Sequence, residues 1–270
     1  MNQLAISQVN FYSKALKREV TFNALLPLDR TDMFGHENTE ERPFKALYLL
    51  HGYSGNYLDW LSLSRIRELS HKYNIAVFMP SGENSFYLDD NDKGELFGEY
   101  IGNELVMFTR KMFPLSTKRE DTFIGGLSMG GYGAIRNGLK YAGNFSRIIA
   151  LSSAIITYRI AGISTDYKDE VADYNYYRRV FGDLNLLMGS DRDPEALVLK
   201  LIKTKVEIPE IYMACGTEDF LLDVNQKFHD FLVSKKVNVI YRETKGDHTF
   251  DFWNNYIEKA IVWATHNSEN

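Results

Sequence analysis

The feature that most constrains the fold is an alternation of short apolar runs with longer mixed segments. The apolar runs, rich in branched and aromatic residues, lie at 45–50, 74–80, 121–126, 146–153, 209–216 and 237–244. Helices are predicted at 59–72, 95–112, 129–141, 194–203, 221–235 and 250–265. Nearly continuous apolar strands indicate a sheet covered on both faces. Because strands and helices alternate, the sequence predicts an α/β fold with a mostly parallel, doubly wound sheet.

Four segments depart from this pattern. Residues 7–13 and 19–27 alternate apolar with polar side chains, which predicts an N-terminal antiparallel hairpin. Residues 28–43 are polar and are predicted to form an exposed loop. Residues 154–193 are rich in Tyr and Asp and interrupt the alternation after a strand. A long insertion at such a place favours a small cap over a site, so we expect one domain over residues 1–270.

Charge, cysteine content and hydropathy narrow the class of protein. The net charge of −5 argues against a nucleic-acid partner, because such proteins usually carry a basic face. The single cysteine, Cys215, fits a reducing compartment. Neither a signal-peptide pattern nor a run of membrane-spanning length is visible. We therefore expect a cytoplasmic protein without a membrane partner. Its 14% aromatic residues suit ordinary packing, a lined cleft or the interface of a homo-oligomer.

Residues 126–130 form a G-x-S-x-G pattern around Ser128. The pattern follows an apolar strand and opens a predicted helix, which is the setting of a nucleophile elbow. A turn of this kind strains the serine backbone and needs small neighbours. It also places the hydroxyl beside a helix N-terminus, where free N–H groups can stabilise a developing oxyanion. A phosphate-binding loop is the alternative, but neither of the standard glycine-rich phosphate motifs fits here.

The serine needs a base and an acid. Of six histidines, His51 and His248 follow predicted strands, and ligands bind at the carboxyl ends of strands in such sheets. His248 is the better base because the chain order Ser…Asp…His is typical of α/β-hydrolases. Three acids follow the strand at 209–216, namely Glu218, Asp219 and Asp223. Their alternative role is to cap the next helix.

His51 suggests a different role. It opens the stretch "HGYSGNYLDW" directly after the strand at 45–50. In α/β-hydrolases the loop after this strand supplies one oxyanion N–H, and the residue after the nucleophile supplies the other. These donors would be the backbone amides of Tyr53 and Met129, with His51 shaping the loop.

Several stretches together resemble the esterase D-like branch of the α/β-hydrolases, and most closely its bacterial tributyrin esterases. The matching stretches are "LLHGYSGNYLDW", "FMPSGENSFYLDD", "YIGNELVMF", "FIGGLSMGGYGAI", "GTEDFLLDVNQKF" and "GDHTFDFW". They keep the order of that family over about residues 46–253. The resemblance implies Ser128 as nucleophile, Asp219 as acid and His248 as base. It also implies Tyr53 and Met129 as oxyanion donors, with Trp60 and Tyr87 near the substrate.

By this resemblance we expect a serine carboxylesterase that acts on small short-chain acyl esters, including acetylated sugars. Neither an organic cofactor nor a metal ion is expected, because an acyl-enzyme mechanism needs none. The acidic run at 89–95 does not have the spacing of an EF-hand calcium loop, so a solvated loop is expected there. One alternative is an S-formylglutathione hydrolase-type thioesterase. Those enzymes typically carry "GHSMGGHGA", and here Leu127 and Tyr132 replace both histidines. Further alternatives are an acyltransferase of the same fold and a binding protein without catalysis.

Overall fold

The computed structural model describes residues 4–28 and 43–265. The predicted polar loop at 28–43 therefore lies outside the described residues, apart from its two ends. The described part of the chain contains ten strands: β1 Ala5–Ser13, β2 Arg18–Leu26, β3 Lys45–Leu50, β4 Ile75–Pro80, β5 Asp89–Asp90, β6 Glu95–Leu96, β7 Thr122–Leu127, β8 Arg147–Leu151, β9 Glu210–Gly216 and β10 Val239–Thr244.

Helices connect most of these strands. Within the same described ranges the α-helices are α1 Asp59–Leu63, α2 Ile66–Lys72, α3 Phe97–Glu99, α4 Leu105–Met112, α5 Met129–Lys140, α6 Thr157–Ile160, α7 Tyr174–Phe181, α8 Pro194–Thr204, α9 Leu222–Ser234 and α10 Phe250–Thr265. A π-helical turn, Tyr100–Glu104, joins α3 to α4, and 3₁₀ turns lie at Arg119–Asp121 and Leu184–Leu186.

Eight of the strands form the central sheet in the order β1-β2-β4-β3-β7-β8-β9-β10. From β4 to β10 all neighbouring strands are parallel, whereas β1 pairs antiparallel with β2, and β2 pairs antiparallel with β4. The predicted doubly wound sheet with an N-terminal antiparallel hairpin is confirmed.

Alternate residues of the central strands enter two separate hydrophobic cores, one on each face of the sheet. In β3, Tyr48 and Leu50 belong to one core, while Leu47 and Leu49 belong to the other. The first core contains buried residues of α4, α5 and α9, and the second contains those of α2 and α10. This two-sided coverage explains why the strands read as continuous apolar runs, since both faces exclude water.

The register of the sheet places the ends of five parallel strands at one edge. Leu50 pairs with Gly126, Leu127 with Leu151, and Leu151 with Ala214. Gly216 pairs with Thr244 across β9 and β10. The residues that follow these strands therefore lie along one edge, where an open α/β sheet binds its ligands.

Some predicted boundaries differ from the structure for local reasons. The predicted helix at 59–72 is divided, because Ser64 is extended and its hydroxyl accepts the N–H of Ile66 at the start of α2. The predicted helix at 95–112 begins at Phe97, because Glu95–Leu96 pairs with β5. The strand predicted at 146–153 ends at Leu151, because Ser152 has a φ of 45°.

Candidate active site

Ser128 occupies a sharp turn between β7 and α5. Its φ of 54° and ψ of −120° are unusual for a residue that carries a Cβ. Gly126 and Gly130 permit this turn, because a Cβ on Gly126 would lie 2.4 Å from the Gly130 oxygen and one on Gly130 would lie 2.4 Å from the Leu50 oxygen. The strained backbone of Ser128 and the close packing at Gly126 and Gly130 together place the serine at the edge of the sheet.

Backbone hydrogen bonds hold Ser128 against the end of β8 and the segment that follows it. The Ser128 N–H donates to the Leu151 oxygen at 2.9 Å, and the Ala154 N–H donates to the Ser128 oxygen at 2.9 Å. The residue as a whole is only 9% exposed. Its hydroxyl therefore lies in a confined position on a rigid support.

Asp219 and His248 form a hydrogen-bonded pair at the same edge of the sheet. Asp219 lies in the loop after β9, and His248 lies between β10 and α10. The His248 Nδ1–H donates to Asp219 Oδ2 at 2.9 Å, and the Leu221 N–H donates to Asp219 Oδ1 at 2.9 Å. The Asp219 side chain is fully buried, whereas 18% of the His248 side chain is exposed. The carboxylate therefore fixes the ring and its tautomer.

The surroundings of Asp219 keep its carboxyl group ionised. Burial by itself would raise the pKa of Asp219. The hydrogen bond and charge of His248, the Leu221 N–H and the Ser152 hydroxyl act in the opposite direction and lower the pKa below its ordinary value. An ionised acceptor beside Nδ1 leaves the Nε2 of a neutral imidazole unprotonated, as a general base requires.

The other two acids of this loop have different neighbours. The Lys245 Nζ lies 4.0 Å from Glu218 Oε1, and 57% of the Glu218 side chain is exposed. Asp223 pairs with Arg159, and 69% of its side chain is exposed. Of the three candidate acids, Asp219 is thus the one that contacts His248.

Two aromatic rings flank the ring of His248. Trp253 packs edge-on against it, with ring centroids 4.9 Å apart and an interplanar angle of 89°. Phe220 lies 4.6 Å away on a tilted plane and is 58% exposed. No sequence pattern predicted these two contacts, although both residues belong to stretches that carried the resemblance.

The loop after β3 lies directly beside Ser128. A Cβ on Gly52 would lie 3.6 Å from the Ser128 Cβ. Among the residues that the structure describes, no hydrogen-bond acceptor is found for the backbone N–H of Tyr53 or Met129. Two free N–H groups, one in the loop beside the serine and one at the start of α5, are suited to bind a developing oxyanion.

His51 holds this loop in place through both of its ring nitrogens. Its Nδ1–H donates to the Gly52 oxygen at 2.7 Å, and its Nε2 accepts the Gly82 N–H at 2.8 Å. Both nitrogens are thus used by the backbone, and burial lowers the pKa of His51. A neutral histidine with both nitrogens occupied is a structural brace, as predicted for this position.

Trp60 and Tyr87, predicted to lie near the substrate, are instead buried supports of the same loop. The Trp60 indole N–H donates to the Leu50 oxygen at 2.9 Å, and the Tyr87 hydroxyl donates to the His51 oxygen at 2.9 Å. They are 1% and 0% exposed, respectively. A side chain that no water molecule reaches offers no surface to a substrate, so we correct the predicted role of both residues.

The insertion at 154–193 packs on α5 and on the loop before β5. Phe181 of α7 contacts Phe86 and Tyr132, with ring centroids 4.9 and 5.8 Å away. Tyr176 lies 5.9 Å from Tyr53, edge to face, and its hydroxyl donates to the Asn84 oxygen at 2.6 Å. That this segment acts as a cap remains a prediction, but its α7 contacts the loop beside Ser128.

In residues 4–28 and 43–265, no group of three or more His, Cys, Asp or Glu side chains is placed to hold a metal ion. The same part of the chain has no helix long and apolar enough to span a membrane.

The two-sided parallel sheet and the strained serine turn at its edge are features of the α/β serine hydrolases. The chain belongs to the Esterase family, whose model matches residues 13–263. It is 58% identical over 262 residues to an acetyl esterase of Caldicellulosiruptor saccharolyticus, covering 97% of this chain and 98% of that protein.

Solved structures show the same relationship. The fluorophosphonate-binding serine hydrolase FphF of Staphylococcus aureus superposes with a TM-score of 0.84 at 28% identity, over 98% of this chain and 99% of that one. The S-formylglutathione hydrolase FrmB of the same organism gives a TM-score of 0.82 at 28% identity, over 98% and 100%. The protein is therefore an esterase-type serine hydrolase, and the resemblance to the esterase D-like branch is confirmed.

Proposed function

We propose that this protein is a serine carboxylesterase that hydrolyses small short-chain acyl esters, including acetylated sugars. The observation that carries the proposal is the hydrogen bond between Asp219 and His248 at the sheet edge where the strained turn presents Ser128. Membership of the Esterase family and the identity to an acetyl esterase support it.

The proposed reaction passes through an acyl-enzyme. The Ser128 Oγ attacks the ester carbonyl while His248 Nε2 accepts its proton, and Asp219 stabilises the imidazolium that forms. His248 then gives the proton to the departing alcohol. Water enters, His248 removes a proton from it, and the resulting attack on the acyl group frees Ser128.

The negative charge on the carbonyl oxygen would be met by the N–H groups of Tyr53 and Met129. Loss of one such donor typically costs about 10²–10³ in kcat. The hydrogen bonds of His51, Trp60 and Tyr87 to the backbone support this role. They hold the loop that carries Tyr53 in place, so its N–H would not have to move to meet the oxyanion.

The identity to an acetyl esterase supports a short acyl chain. Ser128 is itself 9% exposed, which suits a nucleophile at the bottom of a closed pocket. A closed pocket rejects an extra methylene by about 1–3 kcal/mol. We expect acyl chains of about two to four carbons to give the highest kcat/KM, because each further methylene meets this penalty.

The direct test is Ser128→Ala with Ser62→Ala as a matched control, since Ser62 is exposed on α1. Loss of the nucleophile should lower kcat for p-nitrophenyl acetate by about 10⁴ or more, and it should abolish covalent labelling by a fluorophosphonate. The control should keep both. Turnover by the folded Ser128→Ala protein near the wild-type rate would refute the proposal.

A second candidate function is hydrolysis of S-formylglutathione, which the likeness to FrmB favours. Against it, Tyr132 stands where that family typically carries a histidine, and here its hydroxyl donates to the Arg192 oxygen at 2.6 Å. A fully buried and engaged hydroxyl is unsuited to contact a glutathione thioester. Values of kcat/KM for S-formylglutathione, p-nitrophenyl acetate and an acetylated monosaccharide would decide between the two.

A further inference from the structure

Ser152 lies between the serine turn and the acid, in a backbone conformation that serine rarely adopts. It directly follows β8, is fully buried and has a φ of 45°. Its N–H donates to the Ala214 oxygen of β9 at 2.8 Å. The preceding residue, Leu151, accepts the N–H of Ser128 at 2.9 Å. A strained, buried residue with these neighbours suggests a function for its side chain.

The hydroxyl of Ser152 is oriented by Trp253. The Trp253 indole N–H donates to Ser152 Oγ at 3.0 Å in a buried position. Because indole nitrogen is a donor only, Ser152 Oγ must be the acceptor, and its own proton remains free to donate.

The Ser152 hydroxyl helps to lower the pKa of Asp219 against the effect of burial, and it opposes the rise that burial causes in the pKa of the Cys215 thiol, so these two groups are its candidate acceptors. An ionised carboxylate forms much the stronger hydrogen bond, whereas a thiol sulfur is a weak acceptor. The hydroxyl of Ser152 is therefore expected to donate to Asp219, which already accepts from His248 and from the Leu221 N–H. Three donors would then hold one buried carboxylate.

Trp253 also contacts the histidine that Asp219 holds. Its ring packs edge-on against His248, with centroids 4.9 Å apart. One tryptophan therefore touches the imidazole with its ring and Ser152 with its N–H. A movement of Trp253 would therefore disturb both His248 and the hydroxyl beside Asp219.

We propose that Ser152, oriented by Trp253, is a positioning residue that fixes the Asp219 carboxylate for its hydrogen bond to His248. The proposal rests on the proposed function, because it assigns Asp219 and His248 to catalysis. Ser152 is fully buried and has no step of its own in the proposed reaction, so its role would be exerted through Asp219. Its effect should appear in the chemical step and in the pH dependence of that step.

The test compares Ser152→Ala with Ser153→Ala in the full-length protein. Ser153 is the matched control, because it is the next residue, is equally buried, and has a hydroxyl without a hydrogen-bond partner among the described residues. Steady-state kinetics with p-nitrophenyl acetate are measured from pH 5 to pH 9, and the thermal midpoint is recorded for each variant.

We expect Ser152→Ala to lower kcat by about tenfold with KM near the wild-type value, as for the loss of a hydrogen bond to a charged group. The acid limb of kcat/KM should also move, to higher pH. The Asp219 carboxylate with one donor fewer attracts the imidazolium of His248 more strongly. Ser153→Ala should keep the wild-type kcat and acid limb. A Ser152→Ala protein with kcat within twofold of wild type, or with an unmoved acid limb, would overturn the proposal.

Trp253→Phe keeps the proposal testable if Ser152→Ala folds poorly, because it keeps a ring beside His248 and removes only the donor to Ser152. We expect Trp253→Phe to lower kcat by about threefold, and a Trp253→Phe protein with the wild-type kcat would overturn the proposal. Where Ser152→Ala folds, the double variant should be no slower than Ser152→Ala, since both changes act on one interaction. Additive losses would overturn the coupling between the two residues. The proposed function is tested independently of Ser152, because an active Ser128→Ala protein would refute it whatever the Ser152 variants do.

Discussion

Replacing Asp219 with asparagine should nearly abolish turnover while leaving the shape of the site unchanged. In the structure both carboxylate oxygens are acceptors, Oδ2 from His248 and Oδ1 from the Leu221 N–H. An asparagine must therefore point its NH₂ group at one of these two donors. If it faces the histidine, Nδ1 becomes the acceptor and the proton moves to Nε2, so the ring can no longer accept the proton of Ser128.

The expected size of this effect follows from that tautomer. An equivalent aspartate-to-asparagine change in a trypsin-like serine protease lowers kcat by about 10⁴. The Asp219 side chain is fully buried, so no water molecule is available to take over its hydrogen bond to His248. We therefore expect a loss of about 10⁴ in kcat for p-nitrophenyl acetate, with a much smaller change in KM.

The neighbouring acids provide matched controls for the loss of a charge in the same loop. Glu218→Gln and Asp223→Asn remove carboxylates whose side chains are 57% and 69% exposed. Exposed ion pairs contribute little, so both variants should keep kcat within about threefold of wild type. The measurement is kcat for the three purified variants, with circular dichroism as a check of folding. A crippled Asp223→Asn beside an active Asp219→Asn would show that the assigned acid is wrong.

Two further predictions concern His51 and Phe220. Burial lowers the pKa of His51 below its unfolded value, so its contribution to stability is complete above about pH 6.5 and is lost as the pH falls through the folded-state pKa. The measurement is urea unfolding at pH 7.5, 6.5 and 5.5. As the pH falls, the free energy of unfolding should decrease more steeply for wild type than for His51→Asn, by up to about 1.4 kcal/mol per pH unit. Equal slopes for the two proteins would contradict this. Phe220 is exposed beside His248, which is proposed to protonate the leaving alcohol. Phe220→Ala should therefore raise KM about three- to tenfold for phenyl acetate and acetylated monosaccharides but not for methyl acetate, because the lost contact with the alcohol is worth about 1 kcal/mol. Leu63→Ala, an exposed apolar residue of α1, is the control, and a uniform change across these esters would place the alcohol elsewhere.

Local sequence patterns predicted most of the fold. The apolar runs predicted the parallel strands because residues buried on both faces must be apolar. The G-x-S-x-G pattern around Ser128 predicted the turn because a Cβ at position 126 or 130 would lie only 2.4 Å from a backbone oxygen, so both positions need glycine. Such signals depend on a few consecutive residues, so they can be read without a structure.

Other features depended on residues that are distant in the chain. The sequence offered three acids after β9, and in the structure Asp219 is the one that contacts a histidine 29 residues away. Trp60 and Tyr87 read as substrate contacts, yet the structure buries them under the loop of Tyr53. Ser152 gave no signal of its own, because its partners Ala214 and Trp253 lie on other elements.

The chain by itself therefore determined the class of fold, the serine turn and the edge of the sheet at which chemistry would take place. The tertiary structure alone decided which carboxylate meets the imidazole, which aromatic rings are exposed and which residues brace the loop beside Ser128. The physical reason is that backbone conformation and two-sided burial are local properties, whereas a hydrogen bond between side chains requires two distant segments to be packed at a defined distance and angle.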